Sequence, residues 1–327
     1  MSGNEAPRVS VLTPVYNGEK HIAACIDSVL AQTYSSFEYI IVNNCSTDGT
    51  LQIAEDYARR DARVRVISNP SLLNVIDSHN RAFSVAPPEN KYIKIVGADD
   101  WLFPNCLAEM VTLAEAHPTV GMVTSYVLVG TEIGWAGLPF PSTFLTGRDV
   151  CRKRLLDRIL VFGGPSASLL RTTAVKDQLP FYTPGNYHGD NESYLRLLQK
   201  YDFGFVHQVL SFNRRGEDSR TTHYLQSFNS DILGVLEEIV RFGPIYLTKA
   251  ELQERLHTAK TDYYEFLARA VFEFRGKKFW DFHRARLNTL GTPLERGLLA
   301  RKTVARFFDI VLNPKRTVEN LYARMYN

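Results

Sequence analysis

The chain has 327 residues, 45% of them hydrophobic and 22% charged, with a formal net charge of +3. That composition supports a buried core and excludes a disordered chain, and the near balance of charge argues against a dedicated nucleic-acid binder. The charge is uneven: 23 basic and 26 acidic residues up to Ala250, then 15 and 9 beyond it, leave −3 on the first stretch and +6 on the tail.

The length allows two domains, or one sheet domain with a large extension. No run approaches the roughly 18 apolar residues of a membrane span, and the start, Met1 to Arg8, has no apolar signal segment. Cys25, Cys45, Cys106 and Cys151 stand far apart, which fits reduced thiols rather than a zinc site or a disulfide framework.

Val9 to Thr13 reads as a strand, and Pro14-Val-Tyr-Asn-Gly18 supplies turn formers after it. A helix is expected from about Glu19, because Ile22, Cys25, Ile26, Val29 and Leu30 recur at helical spacing. Phe37 to Val42 is a second strand, leading through the polar loop Asn43 to Gly49 into a helix from Thr50 to Arg59. Val64 to Ile67 is a third strand, and Ser78 to Ala86 a short helix ended by Pro87 and Pro88. The stretch Lys91 to Pro104 then carries an apolar run, Tyr92 to Val96, that stops at two adjacent carboxylates, Asp99 and Asp100, with Pro104 where a helix would start.

Strand and helix alternate through this first third, the pattern of right-handed βαβ crossovers and a parallel sheet covered on both faces. The acid pair falls at the carboxyl end of a strand, the edge where open α/β sheets bind ligands. Two carboxylates there make a hard oxygen site suited to Mg²⁺ or Mn²⁺ with a phosphate completing the shell. The first loop has no G-x-G-x-x-G and the chain no G-x-x-x-x-G-K-[ST], which disfavours dinucleotide oxidoreductases and P-loop enzymes.

Val-Ser-Val-Leu-Thr-Pro-Val-Tyr-Asn from Val9, Ile-Ile-Val followed by Ser-Thr-Asp-Gly-Thr ending at Thr50, and Ala98-Asp-Asp with Pro104 occur in this order at spacings that resemble the family 2 glycosyltransferases of the GT-A fold. The resemblance covers about residues 8 to 220. It implies that Thr13, Pro14 and Tyr16 line the nucleotide, that Asn44 sits at the base, that Asp99 lies near the ribose and beside the metal, and that Asp100 holds the metal. Two positions depart from the family pattern. Asn43 and Asn44 stand where at least one aspartate is usual, and Gly97 stands where an aspartate is common. Asn can donate as well as accept, which weakens an inference of uracil, and Gly97 leaves one carboxylate fewer for a cation. Turn chemistry capping the next helix is the competing role for the two asparagines.

Beyond the acid pair, Asn105 to His117 is an amphipathic helix stopped by Pro118, and Gly121 to Val129 a strand. Gly130 to Gly147, with Trp135 and Phe140, reads as a long surface excursion, either an acceptor-facing lid or a variable insertion. Gly163 to Ser168 lacks the second glycine of a nucleophile elbow and has no strand directly before it, which disfavours a serine hydrolase. By the resemblance this stretch returns toward the donor sugar, within reach of Ser166 or Ser168. A helix beginning near Asp190 carries acids in its first turn. Asp190, after a glycine in a pattern resembling the family's catalytic region, is the expected general base, with Glu192 as competitor. Phe203 to Phe212 is a strand. After it, Arg214, Arg215 and Arg220 around Gly216 can close on a diphosphate, or form a solvated basic turn. From Leu225 the chain reads as helical, with breaks at Gly243-Pro244, Gly291-Thr-Pro293 and Asn313-Pro314. Leu298 to Leu312 presents a wide apolar arc opposite Lys302 and Arg306, expected to pack on the catalytic domain or a second subunit, with an anionic membrane surface next.

The expected fold is thus α/β, a GT-A type nucleotide-binding αβα sandwich with a mostly parallel sheet, over residues 1–222. Within it, residues 1–104 form the donor-binding portion and residues 105–222 the acceptor-side portion. A helical C-terminal region, 223–327, follows. The resemblance implies an inverting, Mn²⁺- or Mg²⁺-dependent transfer from a nucleoside-diphosphate sugar, a UDP-sugar first, to a glycan, lipid-linked or protein acceptor in polysaccharide or glycoconjugate synthesis. Nucleic acid is not an expected partner. The expected location is the cytoplasm or the inner face of its membrane, with a homodimer as the other use of the C-terminal helices. The rival readings are a sugar-nucleotide pyrophosphorylase, which would need a Gly-rich basic first loop, and a non-catalytic glycan-binding module.

Overall fold

The computed structural model describes residues 8–134, 137–186, 189–214, 228 and 231–313. The chain divides into two compact units, 1–217 and 218–327.

The first unit opens with β1 (Val9–Val15), α1 (Ile22–Leu30), β2 (Phe37–Asn43), α2 (Thr50–Arg60), β3 (Val64–Ser68), α3 (Val75–Val85) and β4 (Tyr92–Ile95). β3, β2, β1 and β4 lie side by side and parallel, as the strand and helix alternation requires. All seven residues of β1 are buried, the signature of a strand covered on both faces. β5 (Trp101–Leu102), α4 (Cys106–Ala116), β6 (Val120–Val129), β7 (Glu132–Gly134), β8 (Phe144–Leu145), α5 (Gly147–Asp157), a 3₁₀ turn (Pro165–Ala167), β9 (Leu169–Arg171), α6 (Thr172–Lys176), α7 (Gly189–Leu197) and β10 (Asp202–Asn213) complete it. The sheet runs β3-β2-β1-β4-β9-β6-β10-β5, with β7 on β6 and β8 on β10. β9 is antiparallel to both β4 and β6, whereas β6 and β10 are parallel. The fold is the α/β, mostly parallel GT-A architecture.

Two features differ from the sequence reading. Asp99-Asp100 does not lead straight into a helix: Trp101 and Leu102 first pair antiparallel with Phe212 and Ser211 of β10. Two residues are too few to leave a periodic trace, and only the distant strand makes them a strand. The excursion 130–147 also contributes β7 and β8 to the sheet. Trp135 lies outside the described residues, while Phe140 is 80% exposed with its ring 5.3 Å from that of His207.

The second unit contains α8 (Asp231–Tyr246), α9 (Lys249–Phe272), α10 (Lys277–Thr289) and α11 (Arg296–Leu312). A break expected at Gly243-Pro244 is absent, and α8 runs through both residues. Continuing keeps Tyr246 on the buried face already lined by Leu236, Ile239 and Phe242. Pro244 removes one hydrogen bond so near the end that the loss is small. A side chain at Gly243 would strike Leu252 Cδ1 at 2.4 Å, so the missing Cβ is what lets the two helices approach. Thr248 and Glu251 form a reciprocal capping box that starts α9. Buried Glu237 of α8 receives both Nε and an η nitrogen of Arg286 from α10, at 2.8 and 2.6 Å.

Candidate active site

The site is built where the parallel strands end. After β4 the chain turns through Gly97, and the Asp100 N–H closes that turn on the Gly97 carbonyl at 3.0 Å. Asp99 is exposed, but Asp100 is only 7% exposed. Its Oδ2 accepts from Ser166 Oγ at 2.5 Å and Asn213 Nδ2 at 3.0 Å, and its Oδ1 accepts from the Arg214 backbone N–H at 3.1 Å. Burial still outweighs these donors and pushes the carboxyl up to about 7. A buried carboxylate so poorly compensated is one that a cation would stabilise.

The donor set fits a hard divalent ion completed by phosphate oxygens. Among the described residues no group of three or more His, Cys, Asp and Glu side chains gathers into a closed cage. Asp99 and Asp100 supply two carboxylates, the usual protein share of a Mg²⁺ or Mn²⁺ site shared with a nucleotide. Beside them Asn213 Oδ1 is a buried amide oxygen without a hydrogen-bond partner, a hard ligand left over. The Arg214 guanidinium stands 5.7 Å from the centre of the Trp101 ring, beside the acid pair, where it can meet a diphosphate. Arg215 and Arg220 lie outside the described residues.

Gly97 explains one departure from the family pattern. A Cβ there would lie 2.9 Å from Asp100 Oδ2 and 3.3 Å from Asp99 Oδ1, so the acid pair occupies the space an aspartate at 97 would need.

The strand-end loops are fastened to one another. Asn17 Nδ2 donates to Thr47 Oγ1 at 3.3 Å, and Asn17 Oδ1 accepts from the Thr47 N–H at 2.8 Å. The Gly18 N–H donates to Thr50 Oγ1 at 2.8 Å, and Glu19 accepts from the Gly49 N–H at 3.0 Å. The Ser-Thr-Asp-Gly-Thr motif therefore serves first as a clamp on the loop after β1. Thr13 is fully buried with its hydroxyl 2.9 Å from Tyr39 OH, and Pro14 is buried as well. The Thr13 hydroxyl is thus directed into the core rather than to a nucleotide, while Tyr16, past the end of β1, is partly exposed.

Asn44 is also committed internally. Its Oδ1 accepts from Asn69 Nδ2 at 3.0 Å and the Leu73 N–H at 2.9 Å, and its Nδ2 donates to the Leu73 carbonyl at 2.8 Å. One amide N–H remains for a base, and both acceptor lone pairs are taken. Asn43 caps the loop, with its Oδ1 accepting from the Ser46 N–H at 3.1 Å.

Ser166 and Ser168, the two serines expected within reach of the donor sugar, are both buried and engaged with protein. Ser168 Oγ lies 3.3 Å from Tyr194 OH, linking the 3₁₀ turn to α7 and so the acid-pair side to the helix that carries Asp190 in its first turn. Asp190 Oδ1 accepts from the Asn191 N–H at 2.9 Å. Glu192 is tied down, with one carboxylate oxygen accepting from Thr183 Oγ1 at 2.9 Å and the other from Asn186 Nδ2.

Two residues of this cluster, Lys94 and Asn213, escaped the sequence reading. Lys94 left a usable signal, a lysine inside an otherwise apolar strand. Asn213 left none, because its place beside Asp100 depends on how β10 ends.

Glycosyl transferase family 2 matches residues 10–179. The glycosyltransferase GlyG of Streptococcus pneumoniae serotype 4 is 26% identical over 248 residues, 75% of this chain and 74% of that protein. EpsE of Bacillus subtilis strain 168 is 33% identical over 162 residues, and an uncharacterised Haemophilus influenzae glycosyltransferase 34% over 152. These matches cover 47% and 46% of this chain, and the chain spans about half the length of both relatives, 58% and 45%. Among solved structures, Staphylococcus aureus TarS 1–349 with UDP-GlcNAc superposes with a TM-score of 0.67 at 16% identity, over 95% of this chain and 92% of that one. The Pyrobaculum calidifontis mannosyltransferase PcManGT, with GDP-Man and Mn²⁺, gives 0.58 at 16% identity, over 98% and 85%. At such identities these two speak to the fold, and the matched sequence motifs speak to ancestry. The chain belongs to glycosyl transferase family 2.

Proposed function

We propose that the protein is a glycosyltransferase that takes a nucleoside-diphosphate sugar, a UDP-sugar first, and passes the sugar by one inverting displacement to a hydroxyl of a glycan, lipid-linked or protein acceptor. Polysaccharide or glycoconjugate synthesis is the setting that fits such an acceptor. The observation that carries this reading is the Asp99–Asp100 pair at the strand end, with Asp100 held rigid by three donors and the Arg214 backbone among them. That TarS was solved with UDP-GlcNAc and PcManGT with GDP-Man and Mn²⁺ supports a nucleotide-sugar donor and a divalent ion. Asp99 and Asp100 would hold Mn²⁺ or Mg²⁺, which supplies positive charge against the departing diphosphate.

The remaining chemistry falls to the chain. Arg214 adds charge on the diphosphate side. Asp190 takes the proton of the acceptor hydroxyl as its oxygen bonds to the anomeric carbon and the bond to the diphosphate oxygen breaks. Glu192 is the weaker base because both its oxygens already fasten the turn before α7. The rival readings lose support. Family membership argues against a pyrophosphorylase, and Asn43, Asn44 and Gly97, the features that favour a non-catalytic module, each have a packing role. Among the described residues no helix is long and apolar enough to cross a membrane, and the outward apolar arc of α11 supports peripheral attachment to an anionic membrane.

Screening UDP-, GDP- and dTDP-sugars with Mn²⁺ by thermal shift and donor hydrolysis identifies the donor, since a bound ligand raises stability by mass action. With that donor, Asp190→Asn should fold and bind normally, because Asn serves equally well at a helix start, yet transfer should fall by roughly 10²–10⁴-fold. Near wild-type transfer in Asp190→Asn, with Glu192→Gln inactive but folded, would move the base to Glu192.

A further inference from the structure

Lys94 lies in the middle of β4, between β1 and β9 in the interior of the sheet, and is 0% exposed. Its neighbours along the same face, Tyr92 and Val96, belong to the apolar core, and its ammonium lies 3.8 Å from Met110 Sδ. Among the described residues no carboxylate forms an ion pair with it, so the charged form is costly and burial drives its pKa down. A leucine or methionine would satisfy the strand's pattern more cheaply.

What the ammonium reaches is the backbone of the candidate site. Lys94 Nζ donates to the Ser166 carbonyl at 2.7 Å. The same serine accepts the Gly97 N–H on its Oγ at 2.9 Å and donates from that Oγ to Asp100 Oδ2 at 2.5 Å. Because Gly97 supplies a proton to the hydroxyl, the hydroxyl's own proton is directed to the carboxylate. Ser166 is therefore pinned at both ends, by Lys94 on its carbonyl and by the turn before Asp100 on its side chain.

We propose that Lys94 is a positioning residue: by holding the Ser166 carbonyl it fixes the 3₁₀ turn Pro165–Ala167 so that the Ser166 hydroxyl presets the Asp100 carboxylate for a divalent cation and nucleoside diphosphate. This rests on the metal site read above. The link runs from a buried lysine through one serine to one carboxylate, and it predicts that Lys94 affects metal binding without touching the metal. Groups that orient a ligand from behind typically contribute about 10–100-fold in metal affinity.

The test measures Mn²⁺ affinity by paramagnetic resonance in the presence of UDP, GDP or dTDP, whichever shifts the wild-type melting temperature most. Lys94→Met keeps length and packing and removes the donor, and should weaken Mn²⁺ binding about 10–100-fold with melting of the free protein unchanged or higher. Lys94→Gln, which can still donate to the carbonyl, should recover part of that loss. Ser166→Ala should reproduce it, and the double variant Lys94→Met/Ser166→Ala should be no worse than the weaker-binding single, because both act through one link. Losses that simply add, or wild-type affinity in Lys94→Met and Ser166→Ala while Asp100→Asn has lost Mn²⁺, overturn the role of Lys94 alone. Wild-type affinity in Asp100→Asn, or no Mn²⁺ binding by the wild-type protein with any of the three nucleotides, overturns the metal site and this inference with it.

Discussion

Asp99 and Asp100 are neighbours in sequence with opposite surroundings, one open to solvent and the other held by Ser166, Asn213 and Arg214. The small residue that allows this is Gly97, whose absent Cβ leaves room for the Asp100 carboxylate at 2.9 Å. Gly97→Ala should fold, since an extra methyl in a packed site costs about 1–3 kcal/mol, but it must push Oδ2 away from its donors. Mn²⁺-dependent nucleotide binding should fall by roughly tenfold, the loss of about 1.4 kcal/mol, with the unfolding transition still cooperative. Unchanged affinity in calorimetric titration would mean that the carboxylate is free to move and that the crowding has no functional weight. The acid pair was legible because its signal is local: an apolar strand that stops at two carboxylates. The roles of Thr13 and Asn44 were not, since whether a strand-end side chain faces a ligand or its own loop depends on partners 26 and 25 residues away, Tyr39 and Asn69.

At the scale of elements, alternation and periodicity carried most of the first unit, because β1 to β4 and their helices are each defined by their own residues. β5 and the uninterrupted α8 were invisible for the reverse reason, since pairing with β10 and burial of Tyr246 override what the local sequence prefers. The packing of α10 against α9 was equally hidden, and it makes a testable demand on pH. His283 is 1% exposed, with Nε2 2.9 Å from the Phe228 carbonyl and Nδ1 2.8 Å from Tyr263 OH. A carbonyl only accepts, so Nε2 carries the proton and Nδ1 accepts from the tyrosine, a neutral imidazole. Burial lowers its pKa from 6.5 to about 4. As pH falls below 6.5 the unfolded chain takes the proton first, so stability present above that pH drains away and the loss levels off below about 4. By pH 5 the loss from this one group should be about 2 kcal/mol at most. His283→Gln, which can keep both hydrogen bonds without titrating, should flatten the urea midpoint between pH 7 and pH 5. An equally steep dependence in that variant would assign it to another group.

For the whole chain, the uneven charge noted in the sequence meets an apolar surface on α11. None of that helix is buried, and Val304, Phe307, Phe308, Val311 and Leu312 are each at least half exposed on one arc. Lys302 turns inward to Glu265 of α9 at 2.9 Å, Arg306 pairs with Asp309, and the apolar side faces out. Internal packing therefore does not explain the arc among the described residues. Arg301 stands exposed at its margin, no carboxylate interrupts it, and the chain from Glu251 onward is +6. Two copies of so basic a tail repel each other, whereas an anionic bilayer rewards both the charge and the phenylalanines, the combination that holds amphipathic helices at membrane interfaces. The protein should float with vesicles containing phosphatidylglycerol, not with neutral phosphatidylcholine, and less so at high salt. Phe307→Ser with Phe308→Ser removes about 3 kcal/mol or more of burial and should reduce flotation more than tenfold while leaving the melting temperature and nucleotide binding in place, because neither ring is buried in the chain itself. If the wild-type protein ignores anionic vesicles but sediments as a dimer that the double variant cannot form, a second copy covers the arc instead.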